Sequence, residues 1–315
     1  MYYIGIDIGG TGIKAGLVKE NGEIIHKDSI PTNATADYRD LVKDMADLVN
    51  KVVADAGISM DDVKSVGMGC PGSIDDKNGI VSYANNINMK NAPVCDEFRK
   101  HIDKPTYINN DANCAALGEF FALEDENVSD FVAITLGTGV GGGIVINKKL
   151  YTGFNGTAGE LGHIVIHVDG EPCSCGRKGC WEAYSSATAI IRDTERAAKA
   201  HPDSLVAKLV EENGGKGSGK TAFVAMREGD PVGKEIVDNY IKYLAEGIAN
   251  IVNSFRPAVI AIGGGVSKEG DNLLIPLREE VMKRCYGVGM VEASNIVVAK
   301  LGNDAGIVGA AFLGR

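Results

Sequence analysis

The order of apolar and polar positions divides the chain into strand-like and helix-like stretches. Tyr2–Ile8 is a β-prone run ending at Gly9-Gly10-Thr11-Gly12. Ile13–Val18 is a second run, and Glu20-Asn21-Gly22 turns it into a third, Glu23–Ile30, so the spacing predicts a strand meander with a hairpin. From Asp37 to Ala56 the apolar residues Leu41, Met45, Leu48, Val49, Val52, Val53 and Ala56 recur at helical spacing, with Gly57 in the place of a C-terminal cap. Val63–Cys70 reads as a buried strand closed by Pro71-Gly72. Thr106–Asn109 reads as another, leading through Asp111 into a helix that runs to Phe121.

Near residue 130 the pattern starts again. Phe131–Leu136 is a β run, followed by Gly137-Thr138-Gly139 and a strand reaching Val145. A shift of 127 positions lays Gly10-Thr11-Gly12 on Gly137-Thr138-Gly139 and Gly16 on Gly143, which predicts two halves built on one plan. Val232–Phe255 is a long amphipathic helix halted at Arg256-Pro257, and Ala258–Ile262 is a strand ending in Gly263-Gly264-Gly265. A strand at Ile296–Ala299 and an apolar helix from about 305 to 313 finish the chain. Meanders followed by alternating strands and helices, in two similar halves, predict an α/β protein of two related domains with a ligand cleft between them.

Composition sharpens this picture. Glycine supplies 41 of 315 residues, against a usual share of about 7%. These glycines follow apolar runs instead of forming a linker, so they are expected where the backbone turns tightly or approaches a ligand. A net charge of −10 argues against a nucleic-acid or anionic-membrane partner, because both need a basic face. The start of the chain lacks the basic and small-residue features of a signal peptide, and no stretch has the length of a spanning helix. Of the seven cysteines, Cys173, Cys175 and Cys180 are clustered and the rest are scattered, which fits a reducing cytoplasm better than a disulfide framework.

Three glycine turns follow β runs: Gly9-Gly10-Thr11, Gly137-Thr138-Gly139 and Gly263-Gly264-Gly265. Glycines there let backbone N–H groups converge on phosphate oxygens, and a threonine hydroxyl adds a donor. Lys14 offers a nearby positive charge, and Asp7, at a strand end, suits Mg²⁺ held through water or an Asx-type turn. Neither a P-loop nor a dinucleotide fingerprint is present. In Asn109-Asn110-Asp111, the plainest role for Asp111 is a helix N-cap. Its functional role would be a general base that deprotonates an attacking hydroxyl, with Asn110 gripping a neighbouring hydroxyl of a polyol.

Gly159-Glu160-Leu161-Gly162-His163, followed by Cys173-Ser174-Cys175-Gly176-Arg177-Lys178-Gly179-Cys180-Trp181-Glu182, is the most specific motif. Three thiolates and one imidazole make a closed structural zinc set, with His163 or His167 as the fourth ligand. Glu160 and Glu182 flank it and are candidates to accept hydrogen bonds from sugar hydroxyls.

These motifs, in this order and over essentially the whole chain, resemble the ROK family of repressors, open reading frames and sugar kinases. The resemblance implies an actin-like ATPase fold of two RNase-H-like domains with an interdomain cleft and a structural zinc loop. One domain would span 1–115 plus the terminal helix at about 303–315, and the other 116–302. It implies Asp111 as catalytic base and zinc on His163, Cys173, Cys175 and Cys180. Asn88, Asn110, Asp111, Glu160, His163 and Glu182 would hold sugar, and the turns at Gly10, Gly137 and Gly264 would hold ATP with Mg²⁺. The Glu160/Glu182 pattern is similar to that of the family's glucokinases, so ATP-dependent phosphorylation of glucose is the expected activity, in a cytoplasmic homodimer. Other hexoses (N-acetylmannosamine, fructose, allose) are alternatives within the same chemistry. A sugar-responsive repressor is the alternative outside it, and is disfavoured by the acidic charge and by a first strand that begins at Tyr2. One departure stands out: Met89 occupies a position where the family pattern carries an aromatic residue.

Overall fold

The computed structural model describes residues 1–84, 86–287 and 289–315. In chain order the elements are β1 (Tyr2–Ile8), β2 (Gly12–Lys19), β3 (Ile24–Pro31), α1 (Tyr38–Asp55), β4 (Val63–Cys70), β5 (Ser73–Asp75), β6 (Ile80–Ala84), β7 (Met89–Ala92), α2 (Val94–Arg99), β8 (Thr106–Asn110) and α3 (Asp111–Phe121). There follow β9 (Phe131–Leu136), β10 (Val140–Ile146), β11 (Lys149–Leu150), α4 (Glu182–Ser185), α5 (Ala187–Ala200), α6 (Leu205–Glu212), α7 (Thr221–Arg227), α8 (Pro231–Phe255), β12 (Val259–Gly264), α9 (Asp271–Met282), β13 (Asn295–Val298) and α10 (Ala305–Ala311). Two compact units emerge: Met1–Asn127 with Gly143–Gly159 and Lys300–Arg315, and Val128–Gly142 with Glu160–Ala299.

The duplication predicted from the glycine turns is visible in the strand order. One five-stranded sheet is ordered β3-β2-β1-β4-β8 and the other β11-β10-β9-β12-β13; counted along the chain, both run 3-2-1-4-5. In the first sheet β1 pairs antiparallel with β2 and parallel with β4, and β4 pairs parallel with β8. In the second, β12 lies parallel to both β9 and β13. A third sheet, β5-β6-β7, is a small antiparallel meander that the sequence pattern did not predict.

Local chemistry explains the main helices. Asp37 caps α1 by accepting from Arg39 N–H. At the other end Gly57, with φ of 68°, donates to Ala54 O while Ile58 donates to Val53 O, a Schellman closure. The long α8 begins with Pro231 behind the Asp230 cap and ends where Arg256 adopts φ of 44°.

Several glycines serve packing and not the turns or ligand contacts expected of them. A Cβ at Gly5 would lie 1.8 Å from Ile307 O, and one at Gly67 1.8 Å from Ala310 O. The backbone of α10 therefore rests directly on β1 and β4, and Ile307, Val308, Ala311 and Phe312 form a core cluster with Tyr3, Val18 and Leu117. A side chain at either glycine would lift the terminal helix off the sheet.

Candidate functional site

In the first unit the candidate residues gather where parallel strands end. Asp7 lies opposite Gly69 and Cys70 opposite Asn110 in the strand register, so the ends of β1, β4 and β8 are level. In open α/β sheets ligands bind at the carboxyl ends of strands. Asp111 opens α3 directly beyond β8, but it is not the cap. Asn110 is the N-cap: its Oδ1 accepts from Ala112 N and Asn113 N, and its Nδ2 donates to Gly72 O at 3.2 Å. The expected role therefore moves by one residue, because both Asn and Asp are good caps and the backbone leaves the strand at Asn110. Asp111 becomes the first helical residue, half-buried, where the helix dipole favours its negative charge.

The charges of Asp7 and Asp111 meet at one buried thiol. Cys114 is pushed well above its ordinary range by burial first, then by Asp111 and Asp7. Cys70 is pushed up to about 12 by burial and by Asp111. Two carboxylates, on different elements, thus lie near one buried residue. Lys14 Nζ bonds Asp7 Oδ2 at 3.2 Å across the β1/β2 pair. The first glycine turn is closed by Gly9 N–H donating to Gly12 O, and Thr32 Oγ1 donates to Gly9 O. A Cβ at Gly10 would touch Asn86 Cβ at 3.4 Å, which places Asn86 against this turn. Asn88 is exposed and its N–H donates to Ala34 O, whereas Met89 is 2% exposed within the core of this unit.

The second unit collects the other candidates. Gly137-Thr138-Gly139 follows β9 and Gly263-Gly264-Gly265 ends β12; the register sets Gly263 beside Thr135 and Gly264 beside Leu136, so the two turns are neighbours. Gly264 has φ of 86°, and a Cβ there would lie 2.4 Å from Leu136 O. The N-terminus of α5 rests on the first of these turns, with Ala187 N–H donating to Gly137 O and Thr188 Oγ1 to Thr138 O.

Val140 joins this turn to the most specific motif. Its N–H donates to Glu182 Oε2 at 3.1 Å, and its carbonyl lies where a Cβ at Gly162 would fall, 2.2 Å away. Glu160, exposed, and His163, half-buried, flank Gly162 on the short 3-10 turn Leu161–His163. Glu182 Oε1 accepts from Ser174 Oγ at 3.1 Å. A sugar-binding role for Glu182 would therefore use a carboxylate already oriented from two sides.

His163, Cys173, Cys175 and Cys180 bring one ligand atom each to within 4.8 Å of one another. Cys173 Sγ is 3.7 Å from His163 Nδ1, and Cys175 Sγ is 3.6 Å from Cys180 Sγ. A tetrahedron with Zn–S of about 2.3 Å and Zn–N of about 2.0–2.1 Å has edges of about 3.6–3.8 Å, which these two donor pairs match. The open alternative between the two histidines resolves geometrically. His163 belongs to the cluster through Nδ1, whereas His167 stacks on Tyr184 with its Nδ1 3.4 Å from the phenol oxygen. The cysteine loop is a small hairpin: Cys173 N–H donates to Arg177 O, and Gly179 N–H to Glu171 O. Trp181, fully buried, anchors it by donating from Nε1 to Tyr243 O at 3.1 Å.

Sequence reasoning missed the residues that support these groups. Trp181 appeared only as a letter of the motif. Asp76, which accepts from Asn109 Nδ2 at 3.3 Å, has no local signal at all, because Asp75-Asp76-Lys77-Asn78-Gly79 reads simply as a turn.

The ROK family model matches residues 3–315. The chain is 39% identical over 311 residues to the glucokinase of Thermotoga maritima, covering 98% of this chain and 96% of that protein. It is 38% identical over 314 residues to the glucokinase of Halalkalibacterium halodurans, covering 99% and 94%. A ROK family glucokinase from Streptomyces griseus, solved in complex with glucose and AMPPNP, superimposes with a TM-score of 0.79 at 37% identity, covering 99% of both chains. With the duplicated 3-2-1-4-5 sheets and the Gly-Glu-Leu-Gly-His and cysteine motifs, these matches establish that the chain belongs to the ROK family.

Proposed function

We propose that this protein transfers the terminal phosphoryl group of ATP to a free hexose, with glucose first among the substrates and its 6-hydroxyl as the acceptor. The observation that carries this reading is the full-length likeness to glucokinases, one of them solved with glucose and AMPPNP. The finer architecture proposed is the actin-like ATPase plan, with each five-stranded sheet the centre of one RNase-H-like copy; the shared 3-2-1-4-5 order supports it.

Asp111 acts as general base. Its oxygen accepts the acceptor hydroxyl's proton as the oxygen–phosphorus bond forms and the bond to the leaving nucleotide oxygen breaks. A carboxylate on the first turn of a helix is held in one orientation, which suits a group whose main task is to position the hydroxyl. Asn88, Asn110, Glu160, His163 and Glu182 hold the remaining hydroxyls. Asn110 spends its carbonyl oxygen on the cap of α3, so its contact with sugar falls to the amide nitrogen. The glycine turns present backbone N–H groups to the phosphates, and Asp7 and Lys14 lie beside the first of them, Asp7 suited to Mg²⁺ held through water.

His163, Cys173, Cys175 and Cys180 would hold zinc, which supplies structural closure of the loop. With His163 Nδ1 turned to the thiols, Nε2 is the nitrogen left to meet sugar. Among the described residues no helix is long and apolar enough to cross a membrane, and a cytoplasmic homodimer is the assembly proposed.

A coupled ADP-release assay across glucose, N-acetylmannosamine, fructose, allose and mannose tests the reading. Turnover highest on glucose supports it; no ATP-dependent turnover on any hexose refutes it.

A further inference from the structure

The corner between β8 and α3 is gripped by a segment far from it in sequence. Asn109, 4% exposed, is engaged at both ends of its amide: its Oδ1 accepts from Asn110 N–H at 2.8 Å and from Asn113 Nδ2 at 2.9 Å, and its Nδ2 donates to Asp76 Oδ2 at 3.3 Å. The orientation of this amide is not arbitrary. A backbone N–H can only donate, so Oδ1 must face Asn110, and Nδ2 must then face the one group in the network that can only accept, the carboxylate of Asp76. The next residue repeats the pattern, since Asn110 Nδ2 donates to Gly72 O. Gly72 and Asp76 flank β5, so the two ends of one short strand hold two consecutive residues of the corner, immediately before Asp111.

Asp76 is held in turn. It is half-buried, β5 is paired to β6, and the positive-φ Gly156 lets the backbone of the 151–159 loop lie over Ile74 and Asp76: a Cβ there would be 2.3 Å from Ile74 O and 3.7 Å from Asp76 Oδ1. We propose that Asp76 is a positioning residue for the phosphoryl-transfer step, fixing the Asn109 amide so that the β8–α3 corner presents Asp111 in one orientation. This inference rests on the proposed role of Asp111 as base. In this role Asp76 acts through Asn109, and the quantity it controls is the alignment of a carboxylate with an acceptor hydroxyl. Misplacement by about 1 Å can cost a hundredfold in rate, so a partial loosening should cost about tenfold.

The test compares Asp76→Asn, Asp76→Ala, Asn109→Ala and the Asp76→Ala/Asn109→Ala pair, with kcat and KM measured on glucose and ATP. In Asp76→Asn the side-chain oxygen can still accept from Asn109, though without charge, so it should fall between wild type and Asp76→Ala. The expected result is kcat about tenfold lower in Asp76→Ala with glucose KM within about twofold. The pair should be no slower than Asn109→Ala alone, because both act through one contact. Unchanged kcat in Asp76→Ala, or losses that multiply in the pair, overturns the proposal. Amide hydrogen exchange at Asn110 and Ala112 reads the corner without any turnover. Faster exchange in Asp76→Ala supports the clamp even if no hexose proves to be a substrate, and exchange equal to wild type overturns it.

Discussion

Replacing Gly247 with alanine would set a methyl group against the indole that anchors the cysteine loop. A Cβ built at Gly247, in the middle of α8, lies 2.1 Å from Trp181 Cε2 and 2.4 Å from Nε1. The ring cannot swing away, because Trp181 is fully buried and its Nε1 is tied to Tyr243 O. Two opposed effects follow. Alanine gains about 1 kcal/mol over glycine in a helix interior. Overpacking a filled core costs about 1–3 kcal/mol, and an overlap of more than an ångström with an immobile ring belongs at the upper end. The net expectation is a loss of about 1–2 kcal/mol. Trp181 lies between Cys180 and Glu182, so the same displacement should weaken retention of the proposed zinc and, through the proposed sugar contact of Glu182, raise the KM for glucose. Trp181 is the chain's single tryptophan, so fluorescence during urea unfolding reports this site and no other. A red-shifted native emission and a lower urea midpoint are expected. Unchanged emission with equal or greater stability would mean that helix propensity outweighs the contact, and would refute the anchoring role.

Other outcomes follow from the same geometry. Glu171, on the back of the cysteine loop, has its carboxyl held below the ordinary range by its bond from Arg196, helped by the charge of Arg192. A depressed carboxyl stabilises fully above the unfolded value of 4.5, and loses that contribution as pH falls through the lower folded value. Glu171→Gln should therefore cost about 0.2–1 kcal/mol at pH 7, by urea unfolding, and the gap to wild type should close in acid; a gap constant down to pH 3 would contradict this. Alkylation at pH 8, followed by mass spectrometry, should reach Cys70, Cys95 and Cys114 last, since burial lifts all three thiols and the charge of Asp111 adds to it at Cys70 and Cys114. Chelation should make Cys175, the exposed member of its cluster, newly reactive, and early labelling of Cys114 would count against the buried corner beneath Asp111.

Much of the framework was legible because its signals are local. The period of α1 and α8, their ends, and the mostly apolar runs of β1, β4 and β9 each announce themselves within one element. The repeated Gly-Thr-Gly turn carried further: it predicted two halves on one plan, and the two five-stranded sheets share a strand order. The cysteine spacing predicted a cluster, and geometry then selected His163 over His167. What escaped was long-range or degenerate. The strands β5, β6 and β7 have three to five residues each, too few to show a period. Asn110 and Asp111 are both capping residues, so only the exit angle of β8 decides between them. Gly5 and Gly67 look like any strand glycine until α10, some 240 to 300 residues later, is found resting on them. The link from Asp76 to Asn109 spans 33 residues and leaves no mark in either local sequence.

Asp111→Asn keeps the size and polarity of the side chain while removing its capacity to take a proton. Single-turnover phosphorylation of glucose, measured beside glucose affinity by calorimetry, tests the central claim most directly. The rate should fall by about 10²–10⁴-fold with glucose affinity changed by less than about threefold. A rate within about threefold of wild type would contradict Asp111 as the base.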